Sequence, residues 1–359
     1  MNSSVDLDQE NDSIRVETRA IAISLSFGFL AFLTLISNVL VLLVLHRGRN
    51  HFDEVMRILI QILAITDLMG GIPGCLLQSL HHSFKQFAPS AVICKLVPFV
   101  TVNLVLQSLY IVCLINLYRL VSVLRPFTHL RFLTPKTVRI CATIMKFAVF
   151  GLVLPLVPLK GMPLNSHLDT YCDPIVNVWH PPPDMLPNLT AAVAVTVIAF
   201  AIPLLILTYT NARLLFIACR VVRRNANVKR SQTLSTDQNQ TINLESGNSR
   251  SNQQKNNRIK NKSTVHPASS GFKGLKTVIV VTGLFYISCI PFCFIVTRAL
   301  KNKDYLEYDV VSIFFLMSNT WWNGPVFIYT SKTFRKEAFK LRKDIKLWLR
   351  GKFIGVGHD

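Results

Sequence analysis

The sequence predicts an all-α membrane protein: a bundle of seven transmembrane helices with a short amphipathic helix after the seventh span. Seven separate apolar stretches run through the chain, each about long enough to cross a bilayer. Half of the 359 residues are hydrophobic, the mean hydropathy is +0.38, and the basic residues gather on alternate connections. A spanning helix needs roughly 20 mostly apolar residues, because every backbone polar group must be satisfied inside the hydrocarbon. One such stretch is compatible with a buried core helix; seven in succession argue against a water-soluble core.

The stretches fall at 20–45, 55–79, 93–123, 138–159, 189–222, 275–299 and 310–329. They divide the chain into an N-terminal tail (1–19), a seven-span domain (20–329) and a C-terminal segment (330–359). The tail carries Asp6, Asp8, Glu10, Asp12 and Glu17 against Arg15 and Arg19, whereas the first connection carries His46, Arg47, Arg49 and Arg57. The positive-inside rule therefore puts the N-terminus outside and, after seven spans, the C-terminus in the cytoplasm. Much of the net charge of +20 then faces the anionic inner leaflet, so membrane lipids are expected partners and nucleic acid is not. No apolar leader precedes Arg19, so the first span is expected to act as the insertion signal.

That topology sorts the local motifs. The sequons at Asn2, Asn11 and Asn188 are on the outer side and are candidate glycosylation sites, whereas Asn239 and Asn261 face the cytoplasm and should stay bare. Cys75, Cys113, Cys141, Cys219, Cys289 and Cys293 fall within apolar stretches, as small buried hydrophobes do. Cys94, at the outer start of the third span, and Cys172, in the loop 160–188, face an oxidising compartment and are expected to pair. Such a bridge would pin the loop to the third helix, and Pro174, Pro181, Pro182, Pro183 and Pro187 would stiffen it into a lid.

The segment 222–271 is rich in Asn, Gln, Ser, Thr, Lys and Arg and has too few bulky apolar residues to fold alone, so a disordered third cytoplasmic loop is expected. Ser231, Thr233, Ser235 and Thr236 follow Lys229 and Arg230 there, as candidate phosphorylation sites. After Tyr329, Phe334, Ala338, Leu341, Ile345 and Trp348 share one helical face among many lysines and arginines, the pattern of an amphipathic helix on the inner membrane surface.

Ordered motifs carry a resemblance. Asn38 lies in Ser37-Asn38-Val39-Leu40-Val41, Leu63-Ala64-Ile65-Thr66-Asp67 places an acid in the second span, and Tyr118-Arg119-Leu120 precedes Arg125-Pro126 at the inner end of the third. Pro203 marks the fifth span, and Lys276-Thr277 leads to Phe285, Cys289, Pro291 and Phe292 in the sixth. Over nearly its whole length, apart from the third inner loop and both tails, the chain resembles a rhodopsin-like (class A) G-protein-coupled receptor. The resemblance implies a cell-surface receptor in the plasma membrane that passes an extracellular ligand's signal to heterotrimeric G proteins, with receptor kinases and arrestin as further partners.

Departures from the family pattern gather at its activation switch. Tyr118 replaces the acid before Arg119, Cys289 the toggle tryptophan and Asn211 the fifth-helix tyrosine. Asn323-Gly324-Pro325-Val326-Phe327 stands against N-P-x-x-Y, with the proline displaced by one and Phe327 for the tyrosine, unless a local bulge brings Tyr329 into its place. With no acid beside Arg119, and Lys273 and Lys276 at the inner end of the sixth span, Arg119 is expected to be less restrained, giving ligand-independent activity. Asn211 and Phe327 act against it.

Asp67, Ser108, Asn319 and Asn323, with Asn38 nearby, match the family's sodium pocket; the other reading of these residues is a purely structural hydrogen-bonded network around Asp67. No other cofactor is implied. Thr101 stands where aminergic receptors keep an Asp, and Met317 where opsins keep the retinal lysine, so neither a cationic amine nor retinal is expected. The remaining pocket, Thr101, Val102, Val105, Phe292, Cys293, Ile313 and Met317 with Trp179 and His180 above, suits a weakly charged or apolar ligand or a peptide tip; apolar faces there also serve as plain interhelical core. Internal repeats or a charged path would mark a transporter or channel, and recurring membrane-embedded His or acid clusters an enzyme; the sequence has neither. A non-signalling decoy or scaffold on the receptor fold is the alternative.

Overall fold

The computed structural model describes residues 3–83, 91–125, 129–154, 199–221, 223–224, 280, 282–291 and 306–355. Regular structure among them is helical throughout. The first three spans are α1 (Ser3–Arg47), α2 (Glu54–Ser83) and α3 (Ala91–Leu124); a single turn, α4 (His129–Phe132), precedes the fourth, α5 (Pro135–Val153). The fifth and sixth spans are α6 (Ala199–Val221) and α7 (Thr282–Pro291). The seventh is α8 (Leu306–Thr330), followed by the amphipathic α9 (Lys332–Gly355).

Local chemistry sets several of these ends. α1 closes on His46 and Arg47, cations at the negative end of the helix dipole, and the next amide, Gly48, still bonds back to Val44 at 2.9 Å. Asp53 caps α2 by accepting from the Met56 amide at 2.8 Å. Thr134 caps α5, accepting from Thr137 at 3.2 Å with Pro135 in the first turn. Ser331 separates α8 from α9 and caps the latter through the Phe334 amide at 3.2 Å. The tail expected at 1–19 is helical from Ser3 onward and continuous with the first span. No Gly or Pro interrupts the chain before Gly28, and Asp6, Asp8 and Glu10 favour the positive end of a helix.

Four described helices are long and apolar enough by composition to cross a membrane: the stretches Glu17–Arg47, Glu54–Leu80, Phe99–Leu124 and Ala199–Val221. α5 has 19 residues with Lys136, Arg139 and Lys146 among them, and α8 is diluted by Asn319, Asn323, Gly324 and Pro325.

α2 sits centrally, packing on α1, α3, α5 and α8, while α9 folds back against α1 and α8. Phe200 and Leu207 of α6 and Phe285 and Cys289 of α7 join the same apolar core. Tyr286 of α7 donates to the Leu204 carbonyl of α6 at 3.0 Å, and Leu120 packs on Leu214 where the C-terminal end of α3 meets α6. The polarity is inside-out. Leu25, Phe29, Ile144 and Phe147 are exposed, Phe147 at 73 %, whereas Asn38, Asp67, Ser108 and Asn323 are at most 5 % exposed. Only lipid makes such an exterior stable.

Candidate functional site

Asp67 lies midway along α2, buried on all sides. Ser108 of α3 donates its hydroxyl to Oδ1 at 2.6 Å, and Asn323 of α8 donates Nδ2 to Oδ2 at 2.8 Å. One carboxylate thus ties three helices together. Asn319, one turn before Asn323, is buried on the same side of α8. The structure joins Asp67, Ser108 and Asn323 by these two bonds and places Asn319 one turn from Asn323 on α8.

Asn38 serves a neighbouring purpose. Its amide donates to the Thr34 carbonyl at 2.9 Å and across to the Thr320 carbonyl at 2.7 Å, so it binds the backbone of α8 rather than the carboxylate. Around it the α1–α8 seam is tight: Thr34 and Thr320 share a hydroxyl bond of 2.8 Å and Ser37 donates to the Trp321 carbonyl at 2.6 Å. Gly324 makes the approach possible, since a Cβ there would stand 3.1 Å from the Ser37 carbonyl oxygen and against its hydroxyl.

The donor set around Asp67 is oxygen-rich and carries one formal charge. Ser108 keeps its lone pairs and Asn323 its carbonyl oxygen, which suits a hard cation. No group of three or more His, Cys, Asp or Glu side chains able to hold a metal occurs among the described residues.

Near the C-terminal end of α3 the hydroxyl of Tyr118 donates to Asp53 Oδ2 at 2.8 Å. The sequence expectation that Arg119 lacks a nearby acid considered only its chain neighbour and the sixth span. The acid comes instead from the start of α2 and lies within electrostatic reach of both Tyr118 and Arg119. Arg119 Nε is buried without a hydrogen-bond partner, and so is the Asn211 side-chain oxygen on α6. Cys289 is 1 % exposed within the core. In α8 the helix runs unbroken through Pro325. Phe327 turns inward and meets Phe334 at 5.8 Å between ring centroids, whereas Tyr329 is 64 % exposed. A bulge that would swing Tyr329 into the place of Phe327 is therefore absent.

Of the expected ligand pocket, Val105, Ile313 and Met317 are in the apolar core with Val102 packed against it. Thr101 is buried against Gly74 of α2, where a Cβ would stand 2.7 Å from its methyl, and its hydroxyl has no hydrogen-bond partner. Phe292, Cys293, Trp179, His180, Cys172, Asn2 and Asn188 lie outside the described residues. So does nearly all of the third inner loop. Cys94 and Asn11 are placed on helices but their side chains are not described. Among the described residues Cys75, Cys113, Cys141 and Cys219 are not in disulfides.

A family model, the 7 transmembrane receptor (rhodopsin family), matches residues 37–324, well over half of the chain. The chain belongs to the rhodopsin family of G-protein-coupled receptors. A search of curated proteins finds no match. The receptor is accordingly a seven-transmembrane-helix membrane protein of the plasma membrane and not an enzyme, and membership implies a ligand and G-protein partners.

Sequence reasoning missed Asp53 and Glu337. Glu337 on α9 is buried beside the α1–α2 connection, bonded to Lys340 at 2.8 Å and 3.8 Å from the His51 ring nitrogen, while Arg47 pairs with Asp344. The Lys340 hydrogen bond outweighs burial and holds the Glu337 carboxyl below its usual range, with His51 and Arg47 adding to it. Asp53 had a signal: an acid three residues before Met56, at the start of an apolar run, has the pattern of a helix N-cap.

Proposed function

We propose that the receptor transmits an extracellular ligand signal to heterotrimeric G proteins, with sodium as an allosteric ligand at Asp67. The observation that carries the sodium part is a buried carboxylate joined to α3 and α8 by Ser108 and Asn323. An ionised Asp67 needs a positive partner inside the membrane, and among the described residues the side chains bonded to it are those of Ser108 and Asn323. Asp67, Ser108, Asn319 and Asn323 would hold the ion, which supplies one positive charge at the junction of α2, α3 and α8. Loss of the ion then lets the three helices shift relative to one another.

The ligand enters from the outer side and is weakly charged, apolar or a peptide tip, meeting Thr101, Val105, Ile313 and Met317. The N-terminus is extracellular and the C-terminus cytoplasmic, with Cys94 and Cys172 bridged and Asn2, Asn11 and Asn188 as glycan acceptors. Receptor kinases and arrestin act on the third inner loop and tail, and α9 rests on the lipid surface. Ligand-independent signalling belongs to the proposal, because Tyr118 replaces the acid adjacent to Arg119 with the more remote Asp53, while Asn211 and Phe327 act against it. Basal G-protein activation in cells with and without the receptor tests it. Silence across the main G-protein classes would favour a decoy or scaffold.

A further inference from the structure

Asp53, an acid within electrostatic reach of Arg119, stands at the N-cap of α2 and not on the arginine's own helix. Asp53 Oδ2 accepts two hydrogen bonds, from the Met56 amide at 2.8 Å and from the Tyr118 hydroxyl at 2.8 Å. One oxygen therefore both caps α2 and grips α3. Tyr118 is buried at 7 % exposure within the main core, so its ring is held by packing while its hydroxyl is held by charge. Arg119 follows it directly in the chain, its Nε buried and unpartnered, where a remote carboxylate acts through little intervening water.

We propose that Asp53 and Tyr118 form an interhelical latch that fixes the inner end of α3 to the start of α2 and so holds Arg119 in the resting arrangement. A charge-assisted hydrogen bond is stronger than a neutral one. It is also brittle, because it depends on one oxygen and one hydroxyl. Tyr118 thus keeps a restraint on Arg119 by borrowing a charge instead of carrying one. The signalling consequence rests on the G-protein reading above; the latch itself does not.

Two substitutions isolate the bond. Asp53→Asn keeps a good helix cap and removes the charge, and Tyr118→Phe removes the hydroxyl while keeping the buried ring. Hydrogen exchange of the purified full-length receptor is followed at the start of α2 (53–57) and the inner end of α3 (117–124). The latch predicts that each variant speeds exchange in both segments by about ten-fold, the scale of one hydrogen bond to a charged group. The double variant should go no further. Tyr118→Phe is the discriminating case, since a mere loss of capping at Asp53 gives it no reason to loosen α2. Unchanged exchange in either single variant, or additive effects in the double, overturns the latch. In parallel, basal G-protein activation at matched surface expression should rise in both variants. If exchange changes as stated while every form is silent across the main G-protein classes, the latch stands and the signalling function falls.

Discussion

Asp67→Asn is the substitution that separates charge from shape at the centre of the receptor. The asparagine fills the same space between Ser108 and Asn323, but it turns one acceptor into a donor, so only one of the two bonds to the side chain survives unaltered. Losing a hydrogen bond to a charged group costs about 1.5–3 kcal/mol, offset by no longer burying a carboxylate. The two terms nearly cancel, and the variant should fold. What it loses is sodium. An ion that binds only the folded receptor, at ten times its dissociation constant, adds about 1.4 kcal/mol, a rise of a few degrees in melting temperature. Melting curves of the purified receptor in sodium chloride and in the chloride of a bulky organic cation give the comparison. Wild type should melt higher in sodium, and Asp67→Asn should melt alike in both. Identical curves for wild type in the two salts, or a sodium shift surviving in Asp67→Asn, would refute the ion site and leave a purely structural network.

Gly324→Ala should destabilise the receptor by about 1–3 kcal/mol, because the new methyl meets the Ser37 hydroxyl and carbonyl where α1 crosses α8; an unchanged melting temperature would contradict that close approach. Glu337→Gln should loosen α9, and its effect should depend on pH with a fixed sign. The folded-state pKa of Glu337 is lowered, so its contribution is complete above the ordinary glutamate range of about 4.3 and is lost as pH falls through the native value. The stability gap between wild type and Glu337→Gln should therefore shrink on acidification, and a widening gap would reverse the assignment. Cys172→Ser and Cys94→Ser should each reduce surface expression, with loss of about 2–5 kcal/mol, and peptide mapping without reduction should recover the pair linked; a free Cys172 thiol would defeat the bridge.

Much of the fold was legible because the bilayer imposes a rule that survives any tertiary detail: backbone polar groups must be satisfied within each span. The start of α1 was less legible, since hydropathy marks where lipid begins and not where helical hydrogen bonding begins. Asp67 was readable because its motif, Leu63-Ala64-Ile65-Thr66-Asp67, keeps the family's spacing, and Asn323 was readable in spite of the displaced proline that follows it. Asn38 sits in such a motif too, yet it spends its amide on the Thr34 and Thr320 backbone carbonyls, a choice fixed by how closely α1 and α8 approach. Tyr118 and Asp53 are 65 residues apart, and nothing in either local pattern announces the other. Phe327 and Tyr329 were left open by the displaced proline; the unbroken turn of α8 decides between them.

Basal G-protein activation tests the central claim most directly, because it needs no ligand. Cells carrying the receptor at the surface should show nucleotide exchange above matched cells without it in at least one of the main G-protein classes, and Asp53→Asn should raise that level further. Equal exchange with and without the receptor in every class, for wild type and Asp53→Asn alike, would contradict it.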